Sequence, residues 1–169
     1  LEAIPVMGSY CDLIGVRSFA RFESKQFDYE EVILNQFIKY SGKPVFSMES
    51  ATCHPLQAFA DLITIEEFKE QERPKVVLTW APHPRALPQA VPNSFADFMN
   101  AADVDFVITH PKGYELAPEF VGNARVEYDQ RKAFEGANFI YAKNWSAYAD
   151  PNYGKILCQD RDWTVDTEK

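Results

Sequence analysis

A chain of 169 residues, 46% hydrophobic and 14% aromatic, has the apolar side chains for a sizeable core, in one domain or in parts of two, and composition excludes disorder as its main state. A formal net charge of −8 and a pI near 4.9 argue against a nucleic-acid partner, because a phosphate backbone calls for a basic face. A few local cations are still enough to hold a small anion. No apolar run approaches the roughly 18–20 residues of a membrane span, and the N-terminus lacks the basic start and apolar stretch of a secretory signal. Cys11, Cys53 and Cys158 are odd in number and far apart, with neither a disulfide framework nor zinc spacing, so a reducing cytoplasm is the expected setting.

In chain order, short apolar runs alternate with helical periods, the pattern of an α/β protein. Residues 11–17 read as a strand ending on Arg17. Residues 28–42 read as one helix, with Asp28 as cap, Glu31 completing a capping box and Gly42 as the left-handed stop. Residues 44–49 read as a buried strand carrying Glu49 at its far end. The segment 54–72 is the longest helix: Pro55 suits its first turn, Leu56, Phe59, Ala60 and Ile63 fall at helical spacing, and Glu66, Glu67, Lys69 and Glu70 mark its wet end. A β run over 75–80 leads into a proline-rich loop at 81–92. A helix over 93–103, a strand over 104–110, a helix over about 118–135 and a strand over 138–145 complete two further αβ units. The chain opens on Leu1 in what reads as mid-helix and closes on the polar tail 159–169 without a closing element, so a portion of a longer protein is expected.

Arg17, Glu49, the 81–92 loop and Lys143 all fall at expected carboxyl ends of strands, where ligands collect in open α/β sheets. His54, Pro55 and Gln57 sit at a helix start, whose free N–H groups favour an anion or a polarised carbonyl. His54 is suited to donate to a carbonyl oxygen, Gln57 to meet an NH₂ group, and Arg17 to hold phosphate or carboxylate in its planar fork. An acyl phosphate bearing an amide would satisfy all three. The plainer alternative makes His54 a helix cap and Gln57 a surface residue. His83, between Pro82 and Pro84, is either a pocket residue on a stiff loop or an ordinary surface histidine. Lys143, near Trp145, is either a ligand cation or a lysine snorkelling at a strand exit, and Glu49 either a buried amine-binding carboxylate or a terminal surface charge. Cys53 beside His54 invites a nucleophile reading, but adjacent side chains rarely face each other and nothing nearby lowers the thiol pKa. A metal site built from His54, His83 and His110 fails on spacing. No Gly-x-Gly-x-x-Gly follows any strand, which weakens a dinucleotide-binding reading.

The run from Ser47 to Glu67, in which His54-Pro55-Leu56-Gln57 opens a helix continuing through Ala58, Asp61 and Leu62, resembles the signature of the carbamoyltransferases. Arg17 within residues 14–19 matches that family's strand-end arginine. The stretches 78–100 and 139–145 resemble its N-succinylornithine and N-acetylornithine branch. The resemblance implies parts of two Rossmann-like three-layer α/β/α domains with parallel sheets: residues 1–53 from a carbamoyl-phosphate domain, 54–72 an interdomain helix, and 73–169 most of an acylornithine domain. It implies that Arg17, His54 and Gln57 are catalytic and contact carbamoyl phosphate, with Pro55 and Leu56 lining the same turn, while Glu49, His83 and Lys143 face the acylornithine. Ordinary ornithine enzymes carry an acidic residue in an Asp-x-Trp motif that meets a free α-amino group. Here the tripeptide is Lys143-Asn144-Trp145, suited to an acylated nitrogen and a carboxylate.

The implied reaction is carbamoyl transfer to the δ-amine of N-succinyl-L-ornithine in arginine biosynthesis, with no metal or organic cofactor, in a cytoplasmic homotrimer without nucleic-acid or membrane partners. N-acetylornithine is the alternative acceptor, and a non-catalytic metabolite-binding relative the alternative class. The family's Ser-x-Arg-Thr phosphate loop, its His-Cys-Leu-Pro segment and the loop that separates acetyl from succinyl acceptors have no counterpart in the 169 residues, and Cys53 stands where the branch carries arginine. The chain alone is therefore expected to be inactive.

Overall fold

The computed structural model describes residues 2–158 and 160–167; Leu1 and, in the tail, Gln159, Glu168 and Lys169 lie outside them. Two parallel sheets organise the chain. In the first, β1 (Ile14–Arg17) pairs with β2 (Val45–Glu49), and helices α1 (Ala3–Ser9), α2 (Lys25–Tyr29) and α3 (Val32–Tyr40) accompany them. The second has the order β5-β4-β3-β6, from β3 (Lys75–Trp80), β4 (Asp105–Thr109), β5 (Arg125–Glu127) and β6 (Phe139–Lys143). Between the sheets in sequence runs α4 (Pro55–Phe68), and α5 (Ala90–Ala101), α6 (Pro118–Val121) and α7 (Gln130–Phe134) complete the second unit. The α/β class with parallel sheets and a connecting helix is as expected.

The core lies around β3. Its residues Val76, Val77 and Leu78 are fully buried, as in a parallel strand covered on both faces. Strand alternation splits them: Val76, Leu78 and Trp80 join Phe106 and Ile108 against Phe95, Ala96 and Met99 of α5, while Val77 and Val107 meet Ala133 and Phe134 of α7 on the other side. That is a three-layer arrangement. Tyr114 and Trp145 close the larger cluster, with Trp80 Nε1 donating to the Trp145 carbonyl at 2.9 Å and Trp145 Nε1 to that of Tyr114 at 2.7 Å.

Several expected elements are shorter or divided. The helix expected over 28–42 is two helices, because Glu31 between them adopts φ 50°, in the left-handed region. Ser24, not Asp28, caps α2, accepting from Phe27 N at 3.2 Å. Asp28 is buried inside α2 and accepts from the N–H groups of Arg21 and Phe22 and from the Tyr153 hydroxyl. Gly42, at φ 65°, does follow α3 as the left-handed stop. The 54–72 helix ends at Phe68, and its buried face is Ala58, Leu62 and Ile65, whereas the Leu56, Phe59, Ala60 and Ile63 stripe is exposed. Helix α5 starts three residues before 93, since Pro92 falls in its first turn, where a missing N–H breaks no helical bond. The helix expected over 118–135 merges α6, β5 and α7. Asn100 ends α6 by donating to the carbonyls of Phe120 and Val121, Gly122 turns the chain at φ 56°, and Asp129 caps α7. The tail also contains an element, a 3-10 turn over Arg161–Trp163, with Trp163 edge-on to Trp80.

The two units meet through α2. Tyr29 Oη donates to Gln89 Oε1 at 3.1 Å, Tyr153 Oη to Asp28 Oδ2 at 2.9 Å, and the Tyr29 ring lies edge-on to Tyr148 and Tyr153 at 5.2 and 6.1 Å.

Two outcomes test this packing. Tyr114 Oη accepts from the N–H groups of Leu157 and Cys158 and donates to the Cys158 carbonyl. Tyr114→Phe strands those groups and is expected to lower stability by about 1–3 kcal/mol in urea denaturation. His110 is 2% exposed and donates from Nδ1 to the Pro111 carbonyl at 2.9 Å, and burial holds its pKa below the ordinary histidine value. A depressed histidine pKa means the unfolded chain takes up the proton first. Stability is then full above the unfolded value of about 6.5 and falls as acidification proceeds through the lower folded value. The urea midpoint should drop over that window, and His110→Gln should flatten the drop.

Candidate active site

The carboxyl ends of β1, β2 and β6 and the start of α4 face one cleft. Strand β1 contributes Arg17 and β2 contributes Glu49. Their register slips between Val16 and Arg17, so that Val16 faces Ser47 but Arg17 faces Glu49. The slip brings the two charges together: Arg17 Nη2 and Nε lie 3.0 and 3.2 Å from Glu49 Oε2. The carboxylate is nearly buried, at 8% side-chain exposure, while the arginine, at 57%, stacks its guanidinium over Phe19 and keeps much of its fork open to the cleft.

His54 is the N-cap of α4. Its Nδ1 accepts from Gln57 N at 3.3 Å, which leaves the ring proton on Nε2, 3.5 Å from Glu49 Oε2. The cap reading and the donor reading are thus the same fact, since capping fixes the tautomer that can donate into the cleft. Gln57 also lines the cleft. Its Nε2 donates to Asp61 Oδ1 at 2.9 Å, so its carbonyl oxygen is the atom left to accept from an NH₂ group. Lys143, at the end of β6 beside Trp80, reaches the cleft from the other sheet, and among the described residues it forms no ion pair with a carboxylate. One buried acid, two donor side chains and one acceptor therefore surround a space whose opposite wall carries the Lys143 cation. Such a site can hold a small anion bearing a carbonyl and an amide beside a second, carboxylate-bearing molecule.

The structure brings Arg17, Glu49, His54, Gln57 and Lys143 together and leaves others aside. His83 stays on its loop, accepting from Arg85 N at Nδ1, and does not line the cleft. Pro55 and Leu56 open α4 with Leu56 half exposed, and neither lines the cleft. Glu49 lines the cleft with its carboxylate paired to Arg17 and His54. Cys53 lies 3.6 Å from Thr52 Oγ1, and burial raises its thiol pKa, the opposite of nucleophile activation. Among the described residues no group of three or more His, Cys, Asp or Glu is placed to hold a metal ion, and no helix is long and apolar enough to cross a membrane. The expected 81–92 loop supplies Leu87, Pro88 and, in the first turn of α5, Val91 to the apolar wall, whereas sequence reasoning missed Phe19 and Phe22 after β1. Their only signal was position, in loops following strands.

Comparison with known proteins places these residues in context. Residues 1–67 match the family model described as aspartate/ornithine carbamoyltransferase, carbamoyl-P binding domain. The chain is 79% identical over 165 residues to the N-succinylornithine carbamoyltransferase of Bacteroides thetaiotaomicron, covering 98% of this chain and 52% of that protein. It is 36% identical over 189 residues to an N-acetylornithine carbamoyltransferase of Xylella fastidiosa, covering 99% and 55%. A solved N-acetyl-L-ornithine transcarbamylase variant complexed with PALAO superposes with a TM-score of 0.88 at 33% identity, covering 99% of this chain and 56% of that one. Another variant, complexed with carbamyl phosphate and N-succinyl-L-norvaline, gives 0.81 at 35% identity, with 90% and 50% covered. The chain spans about half the length of the curated relatives it matches. With nearly all of its residues aligned at this identity and its fold shared with solved members, the chain belongs to the aspartate/ornithine carbamoyltransferase family.

Proposed function

We propose that this chain supplies part of a carbamoyltransferase that moves the carbamoyl group of carbamoyl phosphate to the δ-amine of N-succinyl-L-ornithine, giving N-succinyl-L-citrulline and phosphate in arginine biosynthesis. The observation that carries the reading is the meeting of Arg17, His54 and Gln57 with Lys143 across one cleft. In this reading Gln57 Oε1 accepts from the carbamoyl NH₂, and His54 Nε2 and Arg17 donate to the carbonyl oxygen, Arg17 also reaching the phosphate. The δ-amine attacks the carbonyl carbon, the C=O electrons move onto oxygen, and His54 and Arg17 hold the resulting oxyanion. The C=O bond then re-forms as the C–O bond to phosphate breaks, and phosphate departs with the electron pair and takes up the proton the amine gives up. Glu49 balances the Arg17 charge and orients His54 from behind, and Lys143 holds a carboxylate of the acceptor.

Pro55 and Leu56 shape the turn that opens α4, and His83 stands on the acceptor side through the loop that leads into Leu87 and Pro88. The division 1–53, 54–72 and 73–169 is the corresponding domain plan. The protein of the relatives' length works, on this proposal, as a cytoplasmic homotrimer. The succinyl acceptor is preferred over the acetyl one because identity is 79% to the succinyl relative against 36% to the acetyl relative.

The test is a carbamoyl-transfer assay with ornithine, N-acetylornithine and N-succinylornithine in parallel, on this chain and on the protein extended to the relatives' length. The extended protein should turn over N-succinylornithine best and the 169-residue chain should be nearly inactive. Transfer to none of the three acceptors with carbamoyl phosphate still bound would favour the binding-protein alternative. In the extended protein, Lys143→Met should lower kcat/KM for the acylornithine by about tenfold or more, the value of one charge-assisted hydrogen bond, with KM for carbamoyl phosphate little changed.

A further inference from the structure

Glu31, which does not line the cleft, has an unusual geometry of its own. It holds φ 50° and ψ 41°, a left-handed conformation disfavoured for a side chain of its size, and its carboxylate spends itself on one short stretch of chain. Oε1 accepts from Ser50 Oγ at 2.6 Å, Thr52 N at 2.9 Å and Thr52 Oγ1 at 2.5 Å, and Oε2 accepts from Ala51 N at 3.3 Å. The stretch is a closed turn, with Ser50 N donating to the Cys53 carbonyl at 2.7 Å. Glu49 immediately precedes this turn and His54 immediately follows it. Its conformation therefore sets the 3.5 Å approach of His54 Nε2 to Glu49 and the angle at which α4 begins. From the other unit, Asn93 Nδ2 donates to the Thr52 carbonyl and Ser94 Oγ accepts from His54 N. Strain at the backbone, balanced by four hydrogen bonds to a turn that joins two site residues, is an expense with a local return.

We propose that Glu31 is a positioning residue for His54. By clamping the 50–53 turn it fixes the imidazole as an Nε2–H donor at the cleft, although it touches no substrate itself. The part of the role that concerns catalysis rests on the carbamoyl-transfer reading; the part that concerns the histidine ring does not.

Two variants separate positioning from general stability. Glu31→Gly relieves the left-handed strain and deletes the clamp together, so the fold is retained while the turn is released. Glu31→Gln keeps an oxygen for the three bonds to Oε1. With only three histidines in the chain, long-range ¹H–¹⁵N spectra of ¹⁵N-histidine-labelled protein, assigned by His54→Asn, read the His54 tautomer directly. The parent and Glu31→Gln should show a single Nε2–H tautomer at His54, and Glu31→Gly a signal averaged towards the Nδ1–H form. In the extended protein, Glu31→Gly should lower kcat at least tenfold with KM for the acylornithine unchanged within about twofold, since a misplacement of about 1 Å costs on the order of a hundredfold. Glu31→Gln should restore most of that loss. A Glu31→Gly protein whose His54 spectrum and kcat both match the parent overturns the proposal. An altered His54 spectrum in a protein that transfers to no acceptor upholds the positioning role and rejects the reaction.

Discussion

One carboxylate oxygen, Glu49 Oε2, is shared by Arg17 and His54, and the site is arranged around that sharing. A nearly buried carboxylate must be paired, and here its partners are the two groups that face the cleft. The register slip in β1 brings Arg17 to that oxygen, and the closure of the 50–53 turn and the cap at the start of α4 bring His54 to it. Glu49 thereby anchors both donors from one side: the guanidinium, paired through Nε and Nη2, keeps an open side, and the imidazole, capped at Nδ1, keeps its proton on Nε2.

The wider fold delivers the second half of the cleft from an independent source. Lys143 arrives on β6, at the end of a sheet whose interior is packed on both faces, so its backbone is held by Trp80 and the core beneath. The first sheet is a two-stranded pair and relies more on polar ties, those of Asp28 and Glu31 above all. Cations thus stand on two different bodies of structure, which suits a site that must hold two reactants apart until one attacks the other.

Much of this was legible in the sequence because its signals are local. Unbroken apolar strands announce a parallel sheet, a proline after His54 announces a helix start, and strand ends announce a site. The His54-Pro55-Leu56-Gln57 run was informative because spacing along one helical turn converts directly into geometry. What escaped depends on distant partners. Asp28 and Glu31 read as a helix cap and a capping box, and only the folded chain reveals that Arg21, Phe22, Tyr153 and the 50–52 turn claim their carboxylates. The merged helix over 118–135 failed for the same reason, since Asn100, eighteen or more residues upstream, terminates α6. His83 had the stiff flanks of a pocket residue, yet its ring turns back to its own loop. On α4, periodicity found a real stripe and could not say which of two apolar stripes faces inwards.

The tyrosines that join α2 to the second unit give the junction an optical signature. Burial, reinforced at Tyr153 by Asp28, pushes the phenol pKa values of Tyr29 and Tyr153 far above the ordinary one. A raised phenol pKa contributes stability that is complete below the unfolded value of about 10 and is lost as pH rises towards the folded value. Tyrosinate absorbance from these two rings is therefore suppressed while the junction is closed. These two rings accordingly ionise after the exposed tyrosines, so the last rise on alkaline titration includes the opening of this junction together with the ionisation of the buried Tyr114 and the half-buried Tyr141.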